Sequence, residues 1–241
     1  MGIVARGSAA AAGWVAEWLF TDRHGGESTG PYASLNLGMS VGDEPDTVQR
    51  NRLIAASYLG AERLATMHQV HGCAVADLDA PADPAPQADG VITRTIGLPL
   101  VVQVADCVPV LLADLEGGTV AAVHAGWRGV AADVVGATIA AMRPIGAVQA
   151  WAGPAICPGC YEVSDEVRTR VADTVPEASA TTRDGTPAID LRAAVRAQCA
   201  AHGVVCRMVG GCTRESSDLF SFRRDEVTGR QAGLIVLREF T

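Results

Sequence analysis

Three features of the sequence predict an α+β fold, with sheet and helix in mixed layers and no strict strand-then-helix alternation. Short β-branched runs outnumber the stretches of helical periodicity, no internal repeat divides the chain, and its 241 residues are 49% hydrophobic but only 19% charged. A chain of this size and composition can bury a sizeable core. The whole span 1–241 is expected to act as a single catalytic domain.

In chain order, residues 1–20 are alanine-rich but interrupted by Arg6, Ser8, Gly13 and Glu17, so no signal peptide is expected. Myristoylation at Gly2 would need Ser or Thr where Arg6 stands. Asp46 and Gln49, followed by Leu53, Ile54 and Leu59, predict a capped helix closed by Gly60. Helical spacing recurs at Val135, Ile139 and Met142 after Gly129, and at Val167, Val171 and Val175 after a Ser164 cap. It appears again at Leu191, Val195 and Cys199 after Asp190. Between these helices, residues 73–78, 99–105, 108–113, 119–124, 147–152, 204–209 and 234–237 read as strands. The Pro/Ala/Asp-rich stretch 80–88 reads as a surface loop.

The charge count excludes further classes. Nineteen basic against 27 acidic residues, a net of -8, argues against a surface built for nucleic acid or an anionic membrane. The longest apolar stretch, 99–113, contains Gln103 and Asp106 and is too short to span a bilayer. All 19 basic residues are arginine, so Schiff-base chemistry, P-loop phosphate binding and a lysine general base are absent. Seven irregularly spaced cysteines do not form a secreted disulfide framework. A cytoplasmic, monomeric protein with reduced thiols is expected.

Chemistry concentrates in His68-Gln69-Val70-His71-Gly72, Ala105-Asp106-Cys107-Val108-Pro109 and His124-Ala125-Gly126-Trp127-Arg128-Gly129. Two of the three sit at the end of a predicted strand, where a scaffold fixes the backbone while a loop leaves the side chain accessible. Two His and one Cys would hold Zn²⁺ with a fourth position open, and an open zinc makes water a nucleophile near neutral pH. The ligand spacings match no compact zinc signature. Cys107 is equally readable as a small buried hydrophobe with hydrogen-bonded histidines around it, or as half of a Cys107/His124 thiolate–imidazolium nucleophile.

These strings resemble the signatures of the YfiH family, also described as laccase-like multicopper polyphenol oxidases and as peptidoglycan editing factors. The resemblance spans nearly the whole chain. It takes in Leu35-Asn36-Leu37-Gly38, Val41-Gly42-Asp43, Asn51-Arg52, Ala88-Asp89-Gly90, Gly153-Pro154, Cys160-Tyr161-Glu162-Val163, the run Phe220-Ser221-Phe222-Arg223-Arg224-Asp225 and Thr228-Gly229-Arg230. It implies a mixed αβ sandwich, shared distantly with the catalytic domain of cytotoxic necrotizing factor, and His71, Cys107 and His124 as metal ligands. It also implies phosphorolysis of adenosine, inosine, guanosine and methylthioadenosine, and deamination of adenosine.

For deamination a carboxylate must move a proton. Asp106 is adjacent to Cys107 but, on an extended strand, would point away from it; proton transfer and capping or orienting the neighbouring turn both stay open as its role. For phosphorolysis, arginine is the one permanently charged side chain available to hold phosphate. Arg128 is the first candidate, with Arg52 and Arg223, and Asn36 of the Leu-Asn-Leu-Gly string, as further substrate-binding candidates. Cys107, His124 and Arg128 are thus the expected catalytic residues. The partners are small purine nucleosides and phosphate.

The remaining motifs carry less. His68 is expected beside the site and not in it, and His24 and His202 at the surface. Trp127 is readable as a base-stacking ring or a packing anchor. Cys157-Pro158-Gly159-Cys160 offers a redox pair or half of a zinc knuckle, with no second C-x-x-C to complete it. Five histidines are too few for a four-copper oxidase, although Cu²⁺ in the open site would allow slow phenol oxidation. A Cys–His hydrolase, or a hydrolase that edits a cell-wall nucleotide precursor, remains the alternative.

Overall fold

Two stacked sheets with helices on both outer surfaces arrange the chain in four layers. The computed structural model describes residues 2–240; Met1 and Thr241, the two ends of the span expected to form one domain, lie outside the described residues. The strands are β1 (Ile3–Ala11), β2 (Trp14–Thr21), β3 (Val75–Asp77), β4 (Gly90–Thr93), β5 (Leu100–Val104), β6 (Val108–Asp114), β7 (Thr119–Ala125), β8 (Val148–Ala152), β9 (Ser179–Thr181), β10 (Pro187–Ile189), β11 (Cys206–Met208) and β12 (Gln231–Glu239). The helices are α1 (Pro45–Ser57), α2 (Trp127–Ala131), α3 (Val134–Met142), α4 (Asp165–Ala172), α5 (Leu191–Ala201) and α6 (Phe222–Asp225).

One sheet has the order β1-β2-β12-β5 and is antiparallel throughout. The larger one runs β11-β8-β6-β7-β4-β3, with parallel pairs only at its two edges. The central strands β6 and β7 are buried on both faces, which is why they read as continuous apolar runs and not as alternating ones. Successive side chains on them point to opposite faces. Val108, Val110 and Leu112 enter the core under α3 and α5, while Leu111 and Ala113 face the other sheet.

Between the sheets Trp151 stacks on Trp18, ring centroids 5.3 Å apart, and Trp18 meets Phe20 at 5.8 Å. The outer face of the four-stranded sheet buries Leu19, Leu234 and Val236 against Ala55 and Ala56 of α1. Helix α5 buries Leu191, Ala194, Val195, Gln198 and Cys199, the spacing of a single helical stripe, and the Gln198 amide donates to the Val130 carbonyl at 2.7 Å.

The expected α+β sandwich is the fold observed, with local differences. Pro45 opens α1 and Asp46 sits within its first turn, so Asp46 is not the cap; a carboxylate there still favours the positive end of the helix. Ser164 and Asp190 do cap α4 and α5, accepting from Val167 and Ala193 amides at 3.3 and 2.9 Å. Asp133, in a left-handed conformation, caps α3 and separates it from α2, a break that spacing alone did not show. Strands β1, β2, β4, β9 and β10 were not expected: β1 is built from small residues at a sheet edge, and β4, β9 and β10 are too short to show a period. No helix among the described residues is long and apolar enough to cross a membrane.

Candidate active site

Strand register brings the three motifs together. Val108 of β6 pairs with Ala125 of β7, so Cys107 falls beside Gly126, just past the strand ends. Gly90 of β4 pairs with Val123, so Asp89 falls beside His124, and the His124 amide donates to the Asp89 carbonyl at 2.7 Å. His124 points into the layer between the sheets, the same face as Val120 and Ala122. The site therefore opens at one end of that layer.

Cys107 follows a sharp turn, not the extended strand expected around Asp106. Asp106 has φ +90°, a strained value for a non-glycine residue, and its buried carboxylate holds it there. That carboxylate accepts from Thr213 Oγ1 at 2.6 Å, Ser221 Oγ at 2.7 Å and the Arg223 amide at 2.6 Å. All its bonds run away from Cys107, so Asp106 orients the turn.

His71 is held by a different device. The Gln69 side chain makes a two-way bond to the Gln103 backbone, at 2.8 and 2.9 Å, and so fastens its loop to β5. His71 then takes a left-handed φ of +60°. The amides of Val70, His71 and Gly72 converge on the carboxylate of Asp89 at 3.2, 2.9 and 2.6 Å, a backbone nest closed around one anion. The fully buried Asp89 also accepts from His124 Nδ1 at 2.8 Å. That bond fixes the ring and leaves Nε2 as the free nitrogen. Burial pushes the Asp89 carboxyl up, but the His124 bond and the Gly72 and Val70 amides more than offset it and hold it below its usual range.

The donor atoms of His71, Cys107 and His124 all lie within 4.8 Å of one another, and the two imidazoles meet edge to face at 4.7 Å. Burial pushes the Cys107 thiol up, yet the His124 charge and hydrogen bonds from His124 and His71 bring it down to about 6. Burial lowers His124, but the Cys107 thiolate and Asp89 raise it to about 9. Gly126 faces this cluster: a Cβ there would stand 3.0 Å from both Cys107 Sγ and His71 Cδ2. Gly129 is needed for the same close packing, since a Cβ would lie 2.9 Å from the Gly72 carbonyl. Two imidazoles, one low-pKa thiol and a glycine-cleared space suit a tetrahedral divalent ion with an open position.

Above the cluster is a cavity of about 590 Å³. Arg52, Arg128, Arg223 and Arg230 all line it, together with Trp127, Tyr161 and Phe222. Arg128 lies over the Trp127 ring at 4.5 Å and donates to no protein acceptor among the described residues. The others are partly spent: Arg52 Nε donates to the Leu37 carbonyl at 3.0 Å, Arg223 to the Glu162 carbonyl at 2.5 Å, and Arg230 to the Gly229 carbonyl at 2.9 Å. Burial lowers Arg52 to about 10, still charged at neutral pH. His68 is exposed on the rim, while His24 and His202 are exposed elsewhere.

Asn36 is not on this lining. It is fully buried behind the wall, where its amide accepts from the Gly38 and Arg230 backbone amides and donates to Asp43. It thus fixes the Gly38 loop and Arg230. Sequence reasoning passed over Asp89, Gln69 and Arg230 as site residues. Each sits in a quoted motif string, but only the fold shows what it touches.

A family model described as "Multi-copper polyphenol oxidoreductase laccase" matches residues 17–238. The chain is 51% identical to a purine nucleoside phosphorylase of Streptomyces coelicolor over 90% of its own length and 94% of that protein's. It is 42% identical to one of Corynebacterium glutamicum over 91% and 93%. Among solved structures it resembles a Neisseria meningitidis DUF152 protein (TM-score 0.85, 37% identity, 97% and 99% of the two chains). It also resembles YlmD of Geobacillus stearothermophilus (TM-score 0.84, 33% identity, 96% and 98%). A fold, a site and a sequence that agree over nearly the whole length place this chain in the YfiH/DUF152 family, described as multi-copper polyphenol oxidoreductase laccases.

Proposed function

We propose that the chain is a purine nucleoside phosphorylase that acts on adenosine, inosine, guanosine and methylthioadenosine, and that also deaminates adenosine. One observation carries the reading. Four arginines and three aromatic rings share a cavity with the His71/Cys107/His124 cluster, in a chain whose net charge is -8. The acidic residue of that lining, Asp106, has its carboxylate committed to Thr213, Ser221 and the Arg223 amide. A locally cationic, aromatic-walled pocket in an acidic protein suits phosphate together with a flat base. The names of the relatives, purine nucleoside phosphorylases from several bacteria, support the same substrate class.

In phosphorolysis a phosphate oxygen forms the new bond to ribose C1′ as the bond from C1′ to the purine nitrogen breaks, and the base leaves with a proton. Arg128, stacked on Trp127 and free of acceptors among the described residues, would present its guanidinium edge to phosphate, while Arg52, Arg223 and Arg230 add positive potential to the lining. Trp127 and Phe222 offer ring faces to the base. His71, Cys107 and His124 would hold a divalent ion, proposed as zinc; when bound it supplies a Lewis-acid position and activates water for deamination. Asp89 keeps His124 oriented throughout. The protein is expected to work in the cytoplasm as a monomer.

A second reading rests on the Cys107/His124/Asp89 series itself, whose depressed thiol, imidazole and buried carboxylate form the ordered set of a cysteine hydrolase, including one that edits a cell-wall precursor. Copper-dependent phenol oxidation has less support, since two imidazoles and one thiol supply donors for a single ion and not for a four-copper centre. Metal-quantified protein incubated with adenosine, with and without phosphate, separates them by chromatography of products. Free adenine only with phosphate establishes phosphorolysis, and inosine without phosphate establishes deamination. If neither forms, yet some amide or ester is hydrolysed and Cys107→Ala abolishes that, the hydrolase reading replaces the phosphorylase.

A further inference from the structure

A second cluster of soft donors lies away from the cavity. The Sγ atoms of Cys157, Cys160 and Cys212 and a carboxylate oxygen of Glu215 all fall within 4.8 Å of one another. The sequence showed half of this group, the C-x-x-C. The other half, Cys-x-x-Glu, arrives from the segment after β11.

Both halves are built locally. Pro158 opens a single 3-10 turn capped by Cys157, and the Cys160 amide donates to the Cys157 carbonyl at 3.0 Å, which folds the two thiols to the same side. The second arm is laid alongside by backbone pairing. The Ala155 amide donates to the Gly211 carbonyl at 3.3 Å, and the Thr213 amide donates to the Ala155 carbonyl at 3.2 Å. The Cys157 amide then donates to Cys212 Sγ at 3.2 Å, a bond that a thiolate accepts better than a thiol. Glu215 lies 3.4 Å from Cys160 Sγ and is also paired with Arg183.

We propose that Cys157, Cys160, Cys212 and Glu215 bind a structural zinc ion, separate from the metal site of the catalytic cavity. Tetrahedral coordination with Zn–S near 2.3 Å places donors about 3.8 Å apart, so a contraction of about 1 Å closes the observed cluster. Three sulfurs and one oxygen complete four-coordination with no position left for substrate, the mark of a structural site. A disulfide would use two of the sulfurs and leave the third thiol and Glu215 unaccounted for. Binding releases the thiol protons to solvent, and three thiolates with one carboxylate around Zn²⁺ carry a net charge of −2, which Arg183 beside Glu215 partly offsets. The ion has a reason to be where it is. Thr213 follows Cys212 directly and Ser221 lies further along the same segment, and both hold Asp106, which orients the turn of Cys107. A zinc clamp would fasten the strap that positions the catalytic thiol.

The test is metal stoichiometry by plasma mass spectrometry on full-length protein purified with reductant, comparing wild type with His71→Ala/Cys107→Ala and Cys157→Ser/Cys212→Ser. The cavity double variant should keep one zinc per chain. After cobalt exchange it should show the intense thiolate-to-metal charge-transfer absorption of a three-sulfur site. The clamp double variant should lose one zinc equivalent relative to wild type and melt at a lower temperature. Should it fail to fold, Glu215→Gln serves instead and should yield its zinc to a chromophoric chelator at lower chelator concentration than wild type. A folded cavity variant that neither carries nor takes up zinc, or a Cys157–Cys160 disulfide found by peptide mapping of native protein, would overturn the proposal. Neither result bears on whether the cavity phosphorolyses nucleosides.

Discussion

The carboxylate of Asp89 joins the two histidines of the site, accepting from His124 Nδ1 at 2.8 Å and from the His71 backbone amide at 2.9 Å. A side chain that never faces the cavity thus sets the ring of one proposed ligand and the left-handed backbone of the other. Asp89→Asn replaces one acceptor oxygen by a donor amide that cannot serve the nest. We expect metal affinity or activity to fall about 10- to 100-fold. Chelator competition and kcat/KM measured together check this, and unchanged values for both would remove Asp89 from the positioning role.

Arg128 is the cavity arginine whose side chain donates to no acceptor among the described residues, so its loss should be felt by phosphate and not by the fold. A charge-assisted hydrogen bond contributes about 1.5–3 kcal/mol, so Arg128→Ala should raise the phosphate KM roughly tenfold to a hundredfold. Arg128→Lys should recover only part, because an ammonium cannot bind bidentately. Initial rates over a phosphate series decide it. An unchanged phosphate KM would shift the role to Arg52, Arg223 or Arg230.

Gly126 has φ −86°, which alanine adopts freely, so Gly126→Ala tests space and not backbone strain. The new methyl would sit 3.0 Å from Cys107 Sγ and His71 Cδ2. The variant should fold with a near-normal melting temperature but bind metal and turn over substrate poorly. Wild-type metal content with wild-type rates would contradict this crowding.

The pH dependence of Cys107 follows from its surroundings. In metal-depleted protein the thiol held at about 6 is thiolate through neutral pH, and His124, raised to about 9, is its charged partner between those values. Alkylation at Cys107 should therefore reach half its limiting rate near pH 6, not near the pH of an ordinary thiol. Asp89→Asn should move that midpoint up, because the imidazolium loses its partner. Iodoacetamide labelling followed by peptide mapping reads both, and zinc should protect the residue.

Trp151 is 2% exposed and stacks on Trp18 across the two sheets. Trp151→Ala removes this stacked contact between the layers and should cost about 3–5 kcal/mol. Chemical denaturation should show it as a lower midpoint, with the site affected only through lost stability.

Much of the fold was legible in the sequence. The buried strands β6 and β7 announced themselves as β-branched runs, and the Ser164 and Asp190 caps marked the starts of α4 and α5. What was missed has physical causes. Strand β1 carries alanine and glycine at a sheet edge, where little side chain is buried to leave a period. The α2–α3 break depends on Asp133 adopting a left-handed cap, which helical spacing on either side does not reveal.

By itself the sequence determined the chemical inventory. The chain has no lysine, its three turn-flanked motifs carry three histidines and one cysteine, and arginine is the sole carrier of fixed positive charge. Only the tertiary structure decided which residues act together. Register between β4, β6 and β7 set Asp89 against His124 and Cys107 against Gly126, loop packing gathered four arginines over them, and a parallel bridge brought Cys212 to the Cys-Pro-Gly-Cys turn. These are contacts between segments distant in the chain, set by strand pairing and burial, and no local pattern of residues encodes them.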